Sequence, residues 1–140
     1  MDKNLSEREI FLLEFEKQLS ISETLYQRIM KIVHVRGISM EDFYTETGLN
    51  RTILSDIKKN NSRPQLRIVI TICIGLRLET RQAFDLIRLA GYALSDTIYL
   101  DCVYAELISH YNDCGIEGCN ERLAELGIDK KYFLGSQQRK

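Results

Sequence analysis

One glycine between two short helical patterns constrains the fold of this sequence more than any other feature. The first pattern begins at Ser39, a residue type that caps helix N-termini, and its Phe43 and Thr47 share one helical face. Gly48 follows at once, and Asn50 is the next capping residue. Glycine readily adopts the left-handed conformation that a sharp turn needs. The pattern therefore predicts two short helices joined by a tight turn.

The second of these helices has two unlike faces. Leu54 and Ile57 lie three residues apart and form an apolar side. Arg51, Thr52 and Ser55 point another way and form a polar side. The apolar side predicts packing against another helix, which leaves the polar side open to solvent or to a partner.

The rest of the chain also shows helical patterns. The 140 residues contain one proline and eight glycines, which are too few turn-forming residues for the many turns of a many-stranded sheet. Ser6 and Glu9 have the spacing of a capping box, and Ser22 is a candidate N-cap for the next helix. We therefore predict an all-α fold. The predicted helices cover approximately residues 6–19, 23–36, 39–47, 51–59, 65–76, 80–90, 96–111 and 118–126.

The segment 25–94 resembles the Cro/CI-like helix-turn-helix family of phage repressors and bacterial regulators. The strongest part is ISMEDFYTETGLNRTILSDIKKN, with its turn at Gly48. Downstream, Pro64, Leu66 and Leu76 stand at places that match the loop and helix that follow in this family. The resemblance implies a five-helix repressor-type domain over residues 22–95. An N-terminal helix over 1–21 would precede it and a C-terminal helical extension over 96–140 would follow.

The sequence departs from the family at Tyr44, where the family usually has alanine. A tyrosine at this position is found in a subgroup of small Firmicute-type proteins that carry an extra helical C-terminal region. That region ends in an Asn-x-x-Leu stretch and a terminal Leu-Gly, and the matching residues are Asn120, Leu123, Leu134 and Gly135. This second resemblance is loose and implies no activity.

In the Cro/CI-like family the second helix of the pair enters the major groove of DNA. The resemblance therefore implies that the polar side of this helix contacts bases and phosphates, and that the basic residues after it contact phosphates. The candidate DNA-binding residues are Ser39, Asn50, Arg51, Thr52, Ser55, Lys58, Lys59 and Arg63.

Charge is distributed unevenly along the chain, although the formal net charge is only -1. Residues 50–77 contain six basic residues and one acid, whereas residues 96–129 contain eight acids and one base. This asymmetry predicts two surfaces with different roles. For the acidic third, ordinary solvated helix faces are the simpler interpretation.

Other functional classes lack a signal in the sequence. Cys114 and Cys119 have no second ligand pair nearby, so we expect four free thiols and no metal site. We also expect no cofactor and no enzymatic activity, since no phosphate-cradling glycine loop or nucleophile motif is present. The longest apolar run, residues 68–76, is too short to span a bilayer, and residues 1–10 have no signal-peptide core. We therefore expect a cytoplasmic protein without a membrane partner.

Together these patterns predict a sequence-specific DNA-binding transcriptional regulator that acts on double-stranded DNA as a homodimer. The alternative is a protein-binding adaptor or inhibitor that reuses the fold to recognise a protein partner, through the acidic third or the Tyr44 surface. The dimer contact is expected in residues 96–140, because their apolar positions exceed what one flanking layer needs. Those positions are Ile98, Val103, Leu107, Ile108, Leu123 and Leu126.

Overall fold

The described part of the chain is entirely helical. The computed structural model describes residues 6–11 and 23–135, and these residues contain no strand, which confirms the predicted all-α class. Residues 7–11 are helical, and a 3-10 turn covers Lys130–Tyr132. The α-helices from residue 25 onward are α1 (Leu25–Val35), α2 (Met40–Thr47), α3 (Arg51–Lys59), α4 (Leu66–Gly75), α5 (Thr80–Leu89), α6 (Tyr99–His110) and α7 (Gly115–Glu125).

Capping residues set the starts of the first helices. The Ser6–Glu9 capping box is confirmed, since each side chain accepts a hydrogen bond from the backbone N–H of the other residue, at 3.0 and 3.2 Å. The remainder of the predicted first helix, to residue 19, lies outside the described residues, as does Ser22. Helix α1 is capped by Thr24, which forms a second capping box with Gln27. The second helix therefore begins two residues later than the sequence pattern predicts.

Helix α4 is the centre of the fold. Every residue from Ile68 to Gly75 is buried, and α4 packs against α2, α5, α6 and α7. A helix that is apolar on all sides is typical of a core position. The apolar run that the sequence shows at residues 68–76 is therefore a central core helix. No described helix has the length and apolarity that a bilayer crossing requires.

A glycine allows α4 to lie against α2. A Cβ atom on Gly75 would come within 2.6 Å of Thr47 Cγ2 and 2.9 Å of Thr47 Cα. Thr47 is fully buried, and its hydroxyl donates to the Phe43 carbonyl at 2.8 Å and accepts from the Leu49 N–H at 3.2 Å. This close approach fixes the end of α2, and with it the turn that leads into α3.

The C-terminal helices share the same core. Val103 and Leu107 of α6 and Leu123 of α7 are buried in one cluster that runs from Leu25 to Leu134. The apolar positions after residue 96 are therefore largely used within the chain. This finding removes most of the apolar surplus from which a dimer contact was predicted.

The last described residues lie across α4, α6 and α7, and we call residues 132–135 the C-terminal strap. The Tyr104 hydroxyl donates to the Tyr132 carbonyl at 2.8 Å. Asn120 holds Leu134 on both sides, donating to its carbonyl at 3.2 Å and accepting from its N–H at 2.8 Å. Leu134 is buried. The strap is thus held through its main chain, which fixes its position in the fold.

Two residues of α4 hold the end of the strap. Arg67 Nη1 donates to the carbonyls of Phe133 and Gly135, at 3.1 and 2.7 Å. The Thr71 hydroxyl accepts from the Gly135 N–H at 2.9 Å. Burial lowers the pKa of the Arg67 guanidinium, with its hydrogen bonds satisfied by carbonyls. The C-terminal part of the chain is therefore bonded directly to the central helix.

Candidate nucleic-acid interface

The turn between α2 and α3 is defined by three capped positions. The Ser39 hydroxyl accepts from the Asp42 N–H at 3.0 Å and starts α2. Gly48 ends α2 with φ of 72° and donates its N–H to the Tyr44 carbonyl at 2.9 Å. The Asn50 side chain accepts from the Ile53 N–H at 3.1 Å and starts α3. The predicted helix ends at these three positions are confirmed.

Helix α3 lies on the rim of the fold with one side inward. Leu54 and Ile57 are buried, and α3 packs on α1. The opposite side is exposed along the whole helix, as the sequence predicts. We define the outer face of α3 by its five exposed members other than Asp56, which are Arg51, Thr52, Ser55, Lys58 and Lys59.

The outer face has a regular order. Arg51, Ser55 and Lys59 follow one another at i, i+4 and i+8, so they form a single row along the helix, with Thr52 beside it. Lys58 lies at the edge nearest α1, where it contacts Tyr26, and the helical repeat places Asp56 on the other side of the row. The row therefore carries two positive charges and a hydroxyl group without an acid between them.

Two cations of the outer face rest on tyrosine rings from different helices. The Arg51 guanidinium lies over the ring of Tyr44 in α2, 5.2 Å from its centroid. The Lys58 ammonium lies over the ring of Tyr26 in α1, at 5.7 Å. Sequence reasoning missed both ring contacts, since each joins two helices across a turn or a packing contact.

Arg63 has a different environment. Its Nη1 donates to the Gly91 carbonyl at 2.6 Å, and its guanidinium lies 4.4 Å from the centroid of the Tyr92 ring. The Tyr92 hydroxyl in turn donates to the Pro64 carbonyl at 2.6 Å. Arg63 therefore ties the loop after α3 to the end of α5. The structure does not bring it onto the outer face with the other candidate residues.

Two further arginines also bond to carbonyls at helix ends or loops. Arg77 donates to the Asp113 carbonyl at 2.8 Å and lies 3.5 Å from the Glu46 carboxylate, and Arg36 donates to the Leu76 carbonyl. With Arg63 and Arg67, half of the six basic residues between 50 and 77 are engaged in the fold. The other three basic residues of this segment, Arg51, Lys58 and Lys59, all lie on α3.

Comparison with known proteins finds no significant match among family models, curated proteins or solved structures.

The acidic third has one cluster of carboxylates that is paired with an arginine, and further carboxylates that are exposed. Arg122 lies 3.3 Å from Glu106 and 3.2 Å from Glu125, and these hydrogen bonds raise the pKa of its guanidinium. Glu117 and Glu121 are exposed on α7. Among the described residues no group of histidine, cysteine or acidic side chains could hold a metal ion.

The cysteines are free thiols in two environments. Cys73 and Cys119 are buried, whereas Cys102 and Cys114 are exposed. Burial raises the pKa of the Cys119 thiol to about 12, with a smaller contribution from Cys114. Burial also raises the pKa of the Cys73 thiol. These two buried thiols therefore stay protonated and react slowly.

The dimer contact stays a prediction. Of the six apolar residues that suggested it, Ile98 is the exposed one, at 53% of its surface, and Leu126 is partly buried. The other four are buried in the core of the same chain, namely Val103, Leu107, Ile108 and Leu123.

Proposed function

We propose that this chain binds double-stranded DNA through the outer face of α3 and acts as a sequence-specific transcriptional regulator. One observation carries the proposal. The inner side of α3 is anchored in the core by Leu54 and Ile57, while its outer side presents cations and hydroxyl groups to solvent over its full length. A helix held at the rim in this way fits the major groove, which admits one α-helix.

The residues of the outer face have chemistry suited to separate tasks. Arg51 offers a planar fork of donors at the start of the helix, where it can reach base edges. Thr52 and Ser55 offer short hydroxyl groups for bases or phosphates. Lys58 and Lys59 at the end of the helix add the charge that attracts the phosphate backbone.

The two capping residues among the candidates have a positional role in this proposal. The hydroxyl of Ser39 is already bonded to Asp42, and the acidic side chains of Glu41 and Asp42 lie in the first turn of α2. Negative charge there disfavours a phosphate. The amide oxygen of Asn50 caps α3, which leaves its amino group as a donor for DNA. Phosphate contacts are therefore assigned to α3, and Arg63 is assigned to the fold.

The proposal includes a homodimer on a two-fold symmetric site. Helix α3 has nine residues and is about 14 Å long at 1.5 Å per residue, so one copy reads only a few base pairs. Two copies double the sequence that is read, which is the usual arrangement for such regulators. Light scattering of the full chain measures this state directly, and a strictly monomeric protein that binds DNA tightly contradicts it.

A mobility-shift titration over a range of salt concentrations tests the DNA proposal. Arg51→Ala should remove about 1–3 kcal/mol of discrimination between sequences if Arg51 holds a guanine. Lys59→Ala should weaken binding to all duplexes alike and lower the salt slope by about one. Arg81→Ala is the matched control, because Arg81 is an exposed arginine in the first turn of α5. This control should bind as the parent does.

Two results contradict the proposal. One is a parent that binds no duplex at low salt. The other is that Arg51→Ala and Lys59→Ala bind every duplex as the parent does. The protein-binding alternative would then take its place, with the exposed carboxylates of Glu117 and Glu121 as the first surface to examine.

A further inference from the structure

Tyrosine rings support two of the three cations on the outer face of α3. Arg51 lies over Tyr44 and Lys58 lies over Tyr26, with separations of 5.2 and 5.7 Å from cation to ring centroid. The two rings belong to α2 and α1, the helices that flank α3. These rings therefore lie between the core and the proposed DNA-binding surface.

Tyr44 is itself held firmly. Its carbonyl accepts the Gly48 N–H that ends α2, and its ring meets the Phe43 ring edge to face at 5.5 Å with an angle of 79° between planes. Phe43 is fully buried. The Tyr44 ring therefore packs against the core at the turn, and Arg51 is the first residue of the helix after that turn.

A fixed ring affects an arginine and a lysine differently. The guanidinium is planar and presents its donors in a rigid fork, so stacking on a ring restricts the direction in which the fork points. The lysine ammonium is a compact charge with no preferred plane. A side chain that is already restricted in the free protein loses less conformational entropy when it binds, so binding is more favourable.

We propose that Tyr44 is a positioning residue that orients the Arg51 guanidinium toward a guanine in the major groove and so sets the base preference at that position. Guanine is the base that fits, because its O6 and N7 acceptors match the arginine fork in a bidentate contact. The inference rests on the proposed function and deepens it. Tyr26 supports Lys58 and contributes to affinity for all sequences.

The test compares four single variants, among them Arg51→Ala, and one double variant. Sequences bound by the parent are first selected from random duplexes, and binding is then measured on the best site and on the same site with its guanine changed to adenine. Tyr44→Leu should lower the ratio of the two affinities about two- to five-fold, the range expected for an exposed cation–π contact. Tyr44→Phe keeps the ring and should keep the parent ratio. Tyr26→Leu should weaken both sites alike.

The double variant separates positioning from a general loss of packing. Arg51→Ala with Tyr44→Leu should show the same ratio as Arg51→Ala alone, because the ring acts only through the guanidinium. Without DNA, the ring current of Tyr44 should displace the NMR signals of the Arg51 side chain. That displacement should vanish in Tyr44→Leu and persist in Tyr44→Phe.

The outcomes distinguish this inference from the proposed function. If Arg51→Ala loses discrimination and Tyr44→Leu does not, the role of Tyr44 is overturned while DNA binding stands. If Tyr44→Phe loses as much as Tyr44→Leu, the hydroxyl group acts instead of the ring, which also overturns it. A parent that binds no duplex overturns the guanine contact together with the proposed function.

Discussion

At the scale of single residues, the arginines of this molecule have two different uses. Arg51 faces solvent on α3, whereas Arg63 and Arg67 donate to main-chain carbonyls far away in the sequence. The sequence could show the cluster of basic residues but not this division. Arg67 bonds to Phe133 and Gly135, which lie 66 and 68 positions further along the chain. A local sequence pattern cannot indicate a contact between residues so far apart.

The paired hydrogen bonds of Asn120 lead to a stability prediction. Asn120→Ala leaves both the N–H and the carbonyl of the buried Leu134 without their side-chain partner. Unsatisfied groups of this kind cost about 1–3 kcal/mol, so the free energy of unfolding should fall by about that amount. Urea denaturation measures it, and Glu121→Ala, an exposed neighbour on the same helix, is the control. Equal stability of the two variants would show that the strap is not held through Asn120.

The thiols lead to a second prediction at this scale. Cys102 and Cys114 are exposed and should react quickly with a thiol reagent in the folded protein. Cys73 and Cys119 should react only on unfolding, because burial shields them and raises both pKa values, that of Cys119 to about 12. Mass spectrometry after a short alkylation pulse counts the modified sites. Four equally fast thiols would contradict the described core.

At the scale of helices, the sequence predicted which segments are helical better than it predicted where each helix begins. The caps at Ser39 and Asn50 and the turn at Gly48 could be predicted because each depends on neighbours within four residues. Helix α6 was predicted from residue 96 but begins at Tyr99. In the structure the Asp101 carboxylate accepts from the Ser95 N–H at 2.9 Å, which holds the preceding residues in a turn.

The close crossing of α2 and α4 predicts a change in stability of opposite sign to the one that helix propensity alone predicts. Alanine is a better helix former than glycine by about 1 kcal/mol. Gly75→Ala should nevertheless destabilise the protein by about 1–3 kcal/mol, since its Cβ would overlap Thr47 at 2.6 and 2.9 Å. Thr47→Ser removes the nearer atom, so the double variant should recover part of the loss. Thermal unfolding measures whether Gly75→Ala is less stable or more stable than the parent. A more stable Gly75→Ala variant would contradict this account of the crossing.

At the scale of the whole described structure, one core joins helices α1 to α7. Buried residues from Leu25 to Leu134 form a single cluster, and α4 contributes the largest continuous part of it. The sequence division at residues 95 and 96 followed helix patterns and a family resemblance, and neither reveals which helices share a core. The division into a domain over residues 22–95 and an extension over 96–140 stays a prediction.

Truncation tests that division. A chain ending at Ser95 loses the partners of α4 on α6 and α7 and should not unfold cooperatively. A chain ending at Lys131 lacks the C-terminal strap and should melt at a lower temperature than a chain ending at Gly135, because buried Leu134 and its hydrogen bonds are removed. A chain ending at Gly135 is the control for the second. A cooperative transition near the full-chain temperature for the Ser95 chain would contradict the single core.

The central claim is that α3 is the surface that meets DNA. Amide NMR spectra of the full chain, recorded at low salt during titration with a mixed-sequence duplex, test it most directly. The account predicts that the largest shift changes lie at residues 50–59, and that they fade as salt is added. Spectra that do not change, or changes confined to α6 and α7, would contradict it.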